Sequence, residues 1–297
     1  MDETTLRRML GSALADEPPI GPVADNALRA GIRLRRRRVL SVVGSIAAAA
    51  AIAVVIPAAA GPLGAPPASG QHPASTSSID VPANVPPPNP AVVNAAGVER
   101  ARPSVVKIVG TAPSCSRTLE GSGFVFAPQH VLTNAHVVAG VSGPVTVTGR
   151  RRTFAGRVVL YDPERDIAVI YVPGLNARPL AFAPPPNRGD SAIVAGYPLN
   201  EHFTAVPARI GGEQSANSPD IYQVHTVTRD IYAVRAVVRP GNSGGPLLTP
   251  SGEVDGMVFA AAVDLDDTGY ALTGGEVASD ASAGRTLTVP VSTEGCD

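Results

Sequence analysis

One run in the 297-residue chain has the composition of a nucleophile loop: Pro240-Gly241-Asn242-Ser243-Gly244-Gly245-Pro246. A serine hydroxyl attacks a carbonyl carbon only if a base removes its proton and fixed donors hold the oxyanion that develops. Glycines on both sides of Ser243 let the backbone turn so that consecutive N–H groups converge on one point. Gly, Asn and Ser are also ordinary turn formers, and a bare G-x-S-x-G would read as a hairpin. The full seven-residue run, leading into the strand-like Leu247-Leu248, favours the chemical reading.

The order of groups along the chain narrows the choice of base. Histidines stand at 72, 130, 136, 202 and 225, so none follows Ser243. An α/β-hydrolase places its histidine after the serine, which excludes that fold. His136 ends the run Leu132-Thr133-Asn134-Ala135-His136, where a strand closes in small residues, a rigid platform for a base. His72 lies in a Pro-rich stretch, and His130, His202 and His225 sit in polar or strand contexts with no supporting motif. A histidine base needs a carboxylate to fix its tautomer and stabilise the imidazolium. The aspartates between His136 and Ser243 are 162, 166, 190, 220 and 230. Asp166 directly precedes Ile167-Ala168-Val169-Ile170, the lip of an apolar run where an unpaired charge is costly. Asp162, before Pro163, reads as a turn residue, and Asp190, beside Gly189, as a loop cap. The histidine spacing lacks H-E-x-x-H, and two cysteines cannot make a four-Cys zinc site, so neither metal nor cofactor is expected.

The elements that would position these groups lie between residues 99 and 297. Short β-branched runs recur there between Gly, Pro and Asn turns: 105–109, 123–126, 145–148, 158–160, 167–172, 192–194, 224–227, 234–238 and 257–262. That spacing indicates an antiparallel all-β sandwich or barrel rather than βαβ units. Helical character is confined to a turn after His136 and to a late stretch, Gly275 to Ala283.

Ahead of this domain the chain changes character three times. Residues 1–38 are polar and end in Arg33 and Arg35 to Arg38; residues 39–61 carry no charge over 23 positions. About 20 helical residues cross a bilayer core, so 39–61 is long enough to span. A cleaved signal peptide is the competing reading, but its apolar region usually has only about 7–15 residues and a shorter polar leader. The arginines then stay in the cytoplasm, and everything after Gly61 is exported to the periplasm or beyond. Residues 62–98 are rich in Pro, Ala, Ser and Asn, a disordered linker without the apolar content for a core. Overall charge is balanced, 24 basic against 25 acidic residues, which argues against a nucleic-acid partner.

Thr133-Asn134-Ala135-His136, Asp166-Ile167-Ala168-Val169 and Gly241-Asn242-Ser243-Gly244-Gly245-Pro246 together resemble the three catalytic blocks of trypsin-like serine proteases in bacterial form. The chain looks most similar to the MarP-type membrane-anchored periplasmic proteases of actinobacteria. The resemblance implies a chymotrypsin-like fold, two antiparallel β-barrels with the active site between them. It implies His136 as general base, Asp166 as its orienter and Ser243 as nucleophile. The backbone N–H groups of Gly241 and Ser243 would form the oxyanion hole. The primary-pocket floor, six residues before the nucleophile, falls on Val237, with Phe259 and Ala260 as walls, so a carboxylate suited to Lys or Arg substrates is missing. Relatives of this type also pair an early with a late cysteine, which implies a Cys115–Cys296 disulfide.

This chain departs from its relatives at three places. One apolar span is expected where MarP-type proteins carry several, and no PDZ domain of the HtrA type is expected. Lys107-Ile108-Val109-Gly110 mimics a zymogen activation site, yet the residue before the serine, which would supply the counter-charge, is Asn242. Ile108-Val109 therefore reads as plain strand. The expectation is a membrane-tethered extracytoplasmic serine endopeptidase acting on protein or peptide. A catalytically silent peptide-binding relative and an esterase using the same triad are the alternatives.

Overall fold

A computed structural model describes residues 85–150 and 152–296. The expected cytoplasmic segment, the expected span 39–61 and most of the expected linker lie outside the described residues. Among the described residues, no helix is long and apolar enough to cross a membrane.

Among the described residues, twelve strands close into two barrels, and every ladder within them is antiparallel. The first holds β1 (Val105–Ala112), β2 (Arg117–Ala127), β3 (His130–Thr133), β4 (Val145–Gly149), β5 (Arg152–Asp162) and β6 (Ile167–Tyr171), in the order β1-β2-β3-β6-β5-β4. The second holds β7 (Ser191–Gly196), β8 (Thr204–Pro219), β9 (Thr226–Arg235), β10 (Pro246–Leu248), β11 (Val254–Ala261) and β12 (Thr268–Thr273), in the order β10-β11-β12-β9-β8-β7. Closure removes free sheet edges, which short strands of this kind would otherwise expose.

Each barrel fills its interior with the inward half of its strands. Val106, Ile108, Val147, Val158, Ile170 and Val172 line the first; Val194, Ile210, Tyr232, Val234 and Leu247 line the second. A third cluster, with Phe124, Leu132, Ile193, Leu248 and Met257, draws residues from both barrels and seals them together. The catalytic blocks predicted from sequence sit on the strand ends around that seam.

The folded part begins ahead of residue 99. A 3-10 turn (Pro90–Asn94) and the short helix α1 (Ala96–Ala101) pack Val92, Val93 and Val98 onto the third cluster. The expected linker therefore ends earlier than 98, because three valines among the prolines find apolar partners that only the assembled barrels provide. Helix α2 (Gly274–Gly284) extends the late stretch expected from sequence and is capped by Thr273, whose side chain accepts from the Glu276 N–H.

After α2 the tail crosses back over the first barrel. Val291 donates to Val158 O at 3.0 Å, Gly140 to Thr293 O at 3.0 Å, and the Thr293 hydroxyl to Val141 O at 2.9 Å. Cys115 and Cys296 form a disulfide with Cα atoms 5.8 Å apart, closing the tail onto the turn between β1 and β2.

Candidate active site

β3 ends at Thr133, and the 3-10 turn Ala135–Val137 carries His136 out at the rim of the first barrel. β5 and β6 are joined by a turn in which Asp162 Oδ1 accepts from Arg165 N at 2.8 Å, the turn role expected for Asp162. Asp166 closes that turn with φ of 61°, a left-handed backbone that Asp tolerates better than most side chains. The side chain is thereby turned back toward β3. Its Oδ1 accepts from His136 N at 3.0 Å, and His136 Nδ1 lies 2.8 Å from Oδ2 and 3.0 Å from Oδ1. Asn134 Nδ2 donates to Asp166 O at 2.9 Å, so the segment that carries the histidine also holds the aspartate backbone. The carboxylate is buried, whereas the imidazole is about a quarter exposed (27 %).

Ser243 reaches the same rim from the second barrel. Ser122 N on β2 donates to Ser243 O at 2.8 Å. Gly244, with φ of 79°, passes so close that a Cβ there would collide with Thr133 Oγ1 and Ser122 O. Only glycine lets the serine segment dock between β2 and β3. Gly244 N donates to Val258 O at 2.8 Å and Val258 N to Gly245 O at 2.9 Å, tying the loop to β11. The three sequence blocks, spread along the chain from Thr133 to Pro246, thus converge on one rim.

The Ser243 loop is held by hydrogen bonds at Asn242. Asn242, buried, accepts at Oδ1 from Arg239 N at 3.0 Å, and its own N–H donates to Arg239 O at 3.0 Å. Ile108 is buried within β1, as expected for plain strand. Pro240 O accepts from Leu199 N at 2.8 Å, so the N–H of the next residue, Gly241, faces the opposite way across a trans peptide. Gly241 has φ of 92°, and a Cβ there would stand 2.5 Å from Tyr197 O. Its carbonyl accepts from the Ser122 hydroxyl at 2.6 Å, and that hydroxyl accepts from Tyr197 N at 2.8 Å.

The crystal structure of the Rv3671c protease from Mycobacterium tuberculosis, active form, superposes with a TM-score of 0.70 at 44% identity, covering 82% of this chain and 99% of that one. The chain belongs to the trypsin-like peptidase family. The trypsin-like peptidase domain matches residues 121–257, which include all three blocks. The serine protease Rv3671c of M. tuberculosis H37Rv is 49% identical over 212 residues, 70% of this chain and 53% of that protein. The serine protease HhoA of Synechocystis, named as putative, is 36% identical over 162 residues, 52% of this chain and 40% of that one. The chain thus spans about half the length of the curated relatives it matches. The inactive form of the Rv3671c protease superposes less closely, with a TM-score of 0.61 at 46% identity over 67% of this chain and 98% of that one.

The residues expected around the substrate lie on either side of β12. Phe259 and Ala260 follow Val258 on β11 and are half-buried, while Val237, just past β9, is exposed. Three residues that brace the His136, Asp166 and Ser243 blocks have no role among the sequence expectations. Ser122 was one, although a serine inside the apolar run Gly121-Ser122-Gly123-Phe124 was a visible signal. Asn134 lies within the histidine block, where nothing in the motif marks its amide as a support for Asp166. Arg229, buried on β9, donates from Nε to Glu164 O at 2.9 Å and from Nη1 to Ser218 Oγ at 2.6 Å, propping the Asp166 turn from the second barrel. Burial pulls its guanidinium below the ordinary arginine range, with Asp166 among the acids pushing the other way. No local pattern marks Arg229; its partner is 65 positions away. His130 is structural: buried, its ring nitrogens lie 2.8 Å from Pro128 O and Leu287 O.

Proposed function

We propose that the chain is a serine endopeptidase that hydrolyses peptide bonds through an acyl-enzyme. The observation that carries this is the His136 ring, fixed through Nδ1 by a buried carboxylate at 2.8 Å, on the same rim as the Ser243 loop. With Nδ1 held by Asp166, Nε2 takes the Ser243 proton as the hydroxyl attacks the carbonyl carbon. The imidazolium then returns that proton to the leaving amine, and water repeats the sequence to release the acyl group. Asp166 stabilises the imidazolium and holds the tautomer. The N–H groups of Gly241 and Ser243 receive the oxyanion; the Leu199–Pro240 hydrogen bond supports this by aiming the Gly241 N–H away from Leu199.

Substrate enters a pocket bordered by Val237, Phe259 and Ala260, which favours an apolar side chain at the residue before the cut. Residues 39–61 anchor the protein in a membrane with residues 1–38 in the cytoplasm and the protease outside, as the arginine placement dictates. Reporter fusions at the C-terminus should be active only outside the cytoplasm.

Fluorophosphonate labelling tests the catalytic reading. A covalent adduct on Ser243, lost in Ser243→Ala and His136→Ala, is expected, together with a fall in kcat of about 10⁶-fold for either variant. Absence of the adduct in the folded wild-type protein would favour a silent binding module. Turnover of esters but not peptides would favour an esterase.

A further inference from the structure

At the far end of β10 from Ser243 lies a cavity of about 370 Å³, walled by Pro184, Pro185 and Pro186 on one side and by Thr249 and Pro250 on the other. Its charged lining residues are all acidic, Asp190, Glu253 and Asp255, beside the hydroxyl residues Ser191 and Thr249. Asp255 is only 4% exposed, and its Oδ1 has no hydrogen-bond partner among the described residues. A buried carboxylate without donors or a counter-charge is among the most costly arrangements a fold can hold.

The backbone sets the direction of this side chain. Leu247 on β10 opposes Gly256 on β11 and Leu248 opposes Val254, so Asp255 is the extra residue of a β-bulge. Bulges re-aim a side chain out of the strand alternation. Both walls are tied down by backbone hydrogen bonds. Ala183 N donates to Val254 O at 2.9 Å and Val254 N to Ala181 O at 2.8 Å, fastening the proline connector to β11. Across the cavity, Thr249 N donates to Glu253 O at 2.9 Å and Gly252 N to Thr249 O at 3.0 Å.

The lining residues include no cation to neutralise the acids. Nearby, Arg209 reaches Ser191 Oγ at 3.3 Å but commits the same Nη1 to Gly189 O at 2.9 Å and its Nη2 to Pro87 O at 3.2 Å. Asp190 Oδ2 accepts from Asn187 N, and Glu253 Oε2 from the Ser251 hydroxyl, both at 2.8 Å. These contacts orient the two outer carboxylates without cancelling their charge. Among the described residues, no three acidic, His or Cys side chains are grouped to hold a metal ion. A void of this volume suits a side-chain-sized ligand rather than a bare ion. Proline rings give an alkyl stem an apolar wall, and a planar guanidinium can bridge several carboxylates at once.

We propose that this cavity is a receptor for an arginine side chain of a polypeptide, with Asp255 as the buried counter-charge and Asp190 and Glu253 as the outer acids. It lies apart from the catalytic rim, so it would hold a substrate or partner segment at a second point rather than present a bond for cleavage.

The test uses the full chain carrying Ser243→Ala, with Nα-acetyl-arginine amide as probe and Nα-acetyl-citrulline amide as its neutral isostere, followed by calorimetry. Saturable binding of the arginine compound is expected, with the citrulline compound at least tenfold weaker. Asp255→Asn should weaken arginine binding at least tenfold while the far-ultraviolet circular dichroism stays unchanged. Should that variant fail to fold, Glu253→Gln supplies the same test at a more exposed position, with a severalfold loss expected. No arginine binding, equal binding of both compounds, or binding undiminished in the folded variant overturns the proposal.

Discussion

Asp166 and Asp255 are each 4% exposed, yet their surroundings are opposite. Asp166 accepts from a backbone N–H, faces an imidazole nitrogen at 2.8 Å, and has its carbonyl held by Asn134. Asp255 stands on a bulge with an oxygen that meets no donor and two further carboxylates nearby. Burial by itself therefore says little about a carboxylate. What matters is whether the elements around it supply donors, as the turn after β3 does for Asp166, or leave a cavity, as the β10–β11 turn does for Asp255.

The sharpest way to break the comparison is Asp166→Asn, which keeps the shape and removes the charge. A fall in kcat of about 10⁴-fold with a native circular dichroism spectrum is expected, because the amide no longer fixes the tautomer. A variant with more than a tenth of wild-type activity would sink the assignment.

The disulfide tests whether the first barrel can be loosened separately. Cys115→Ser with Cys296→Ser should lower stability by up to about 5 kcal/mol, the loop-closure value for so long a span. The loss is expected in thermal unfolding of oxidised wild type against the double variant, and the gap should vanish when both are measured in reductant.

Asp255 gives a pH dependence of defined sign. Burial, with repulsion from Asp190 and Glu253 added, pushes its carboxyl up to about 7. The folded state then holds this proton more tightly than the unfolded chain, where such a group titrates near about 4. Its stabilising contribution is complete below about pH 4 and is lost as pH rises to about 7, on the order of 4 kcal/mol across that window. Asp255→Asn, which stays neutral throughout, should match wild type near pH 4 and exceed it in melting temperature at pH 7.5. A difference that does not change with pH would contradict this.

The smallest expected effect concerns the donors around Asp166. Asn134→Ala removes the bond to Asp166 O and leaves that carbonyl unpaired, at a cost of about 1–3 kcal/mol in denaturant unfolding. The corresponding removal of a neighbour at the cavity, Glu253→Gln, should stabilise rather than destabilise, since it withdraws a like charge.

Much of the first barrel was legible because its strands carry β-branched runs between turn residues, as at Val105 to Val109 and Ile167 to Tyr171. The longest strand, β8, was not. Thr204–Pro219 contains two glycines, two prolines and many polar residues, and it is a strand because β7 and β9 pair with it on either side. The expected runs 224–227 and 234–238 were also shifted: β9 spans Thr226–Arg235, flanked by a turn around Asp220 and by the approach to the Ser243 loop. Local apolar content locates strands that face a core, whereas pairing partners far away in sequence decide where a polar one begins and ends.

The sequence by itself determined the chemistry of the blocks: a serine between glycines, a histidine upstream of it, and an aspartate at the lip of an apolar strand. Those are properties of residue type, order and local backbone freedom. It also determined that Asn242 could not serve as the partner of a new N-terminal amine. Tertiary structure decided which groups support the blocks. Ser122 joins Gly241 to Tyr197, Arg229 holds the turn beside Asp166, and a bulge places Asp255 in the lining of an acidic cavity. These depend on strand register and on contacts between segments 65 or more positions apart, which no local pattern encodes. Side-chain chemistry is written residue by residue, but the balance of donors around a buried charge exists only once the barrels have closed.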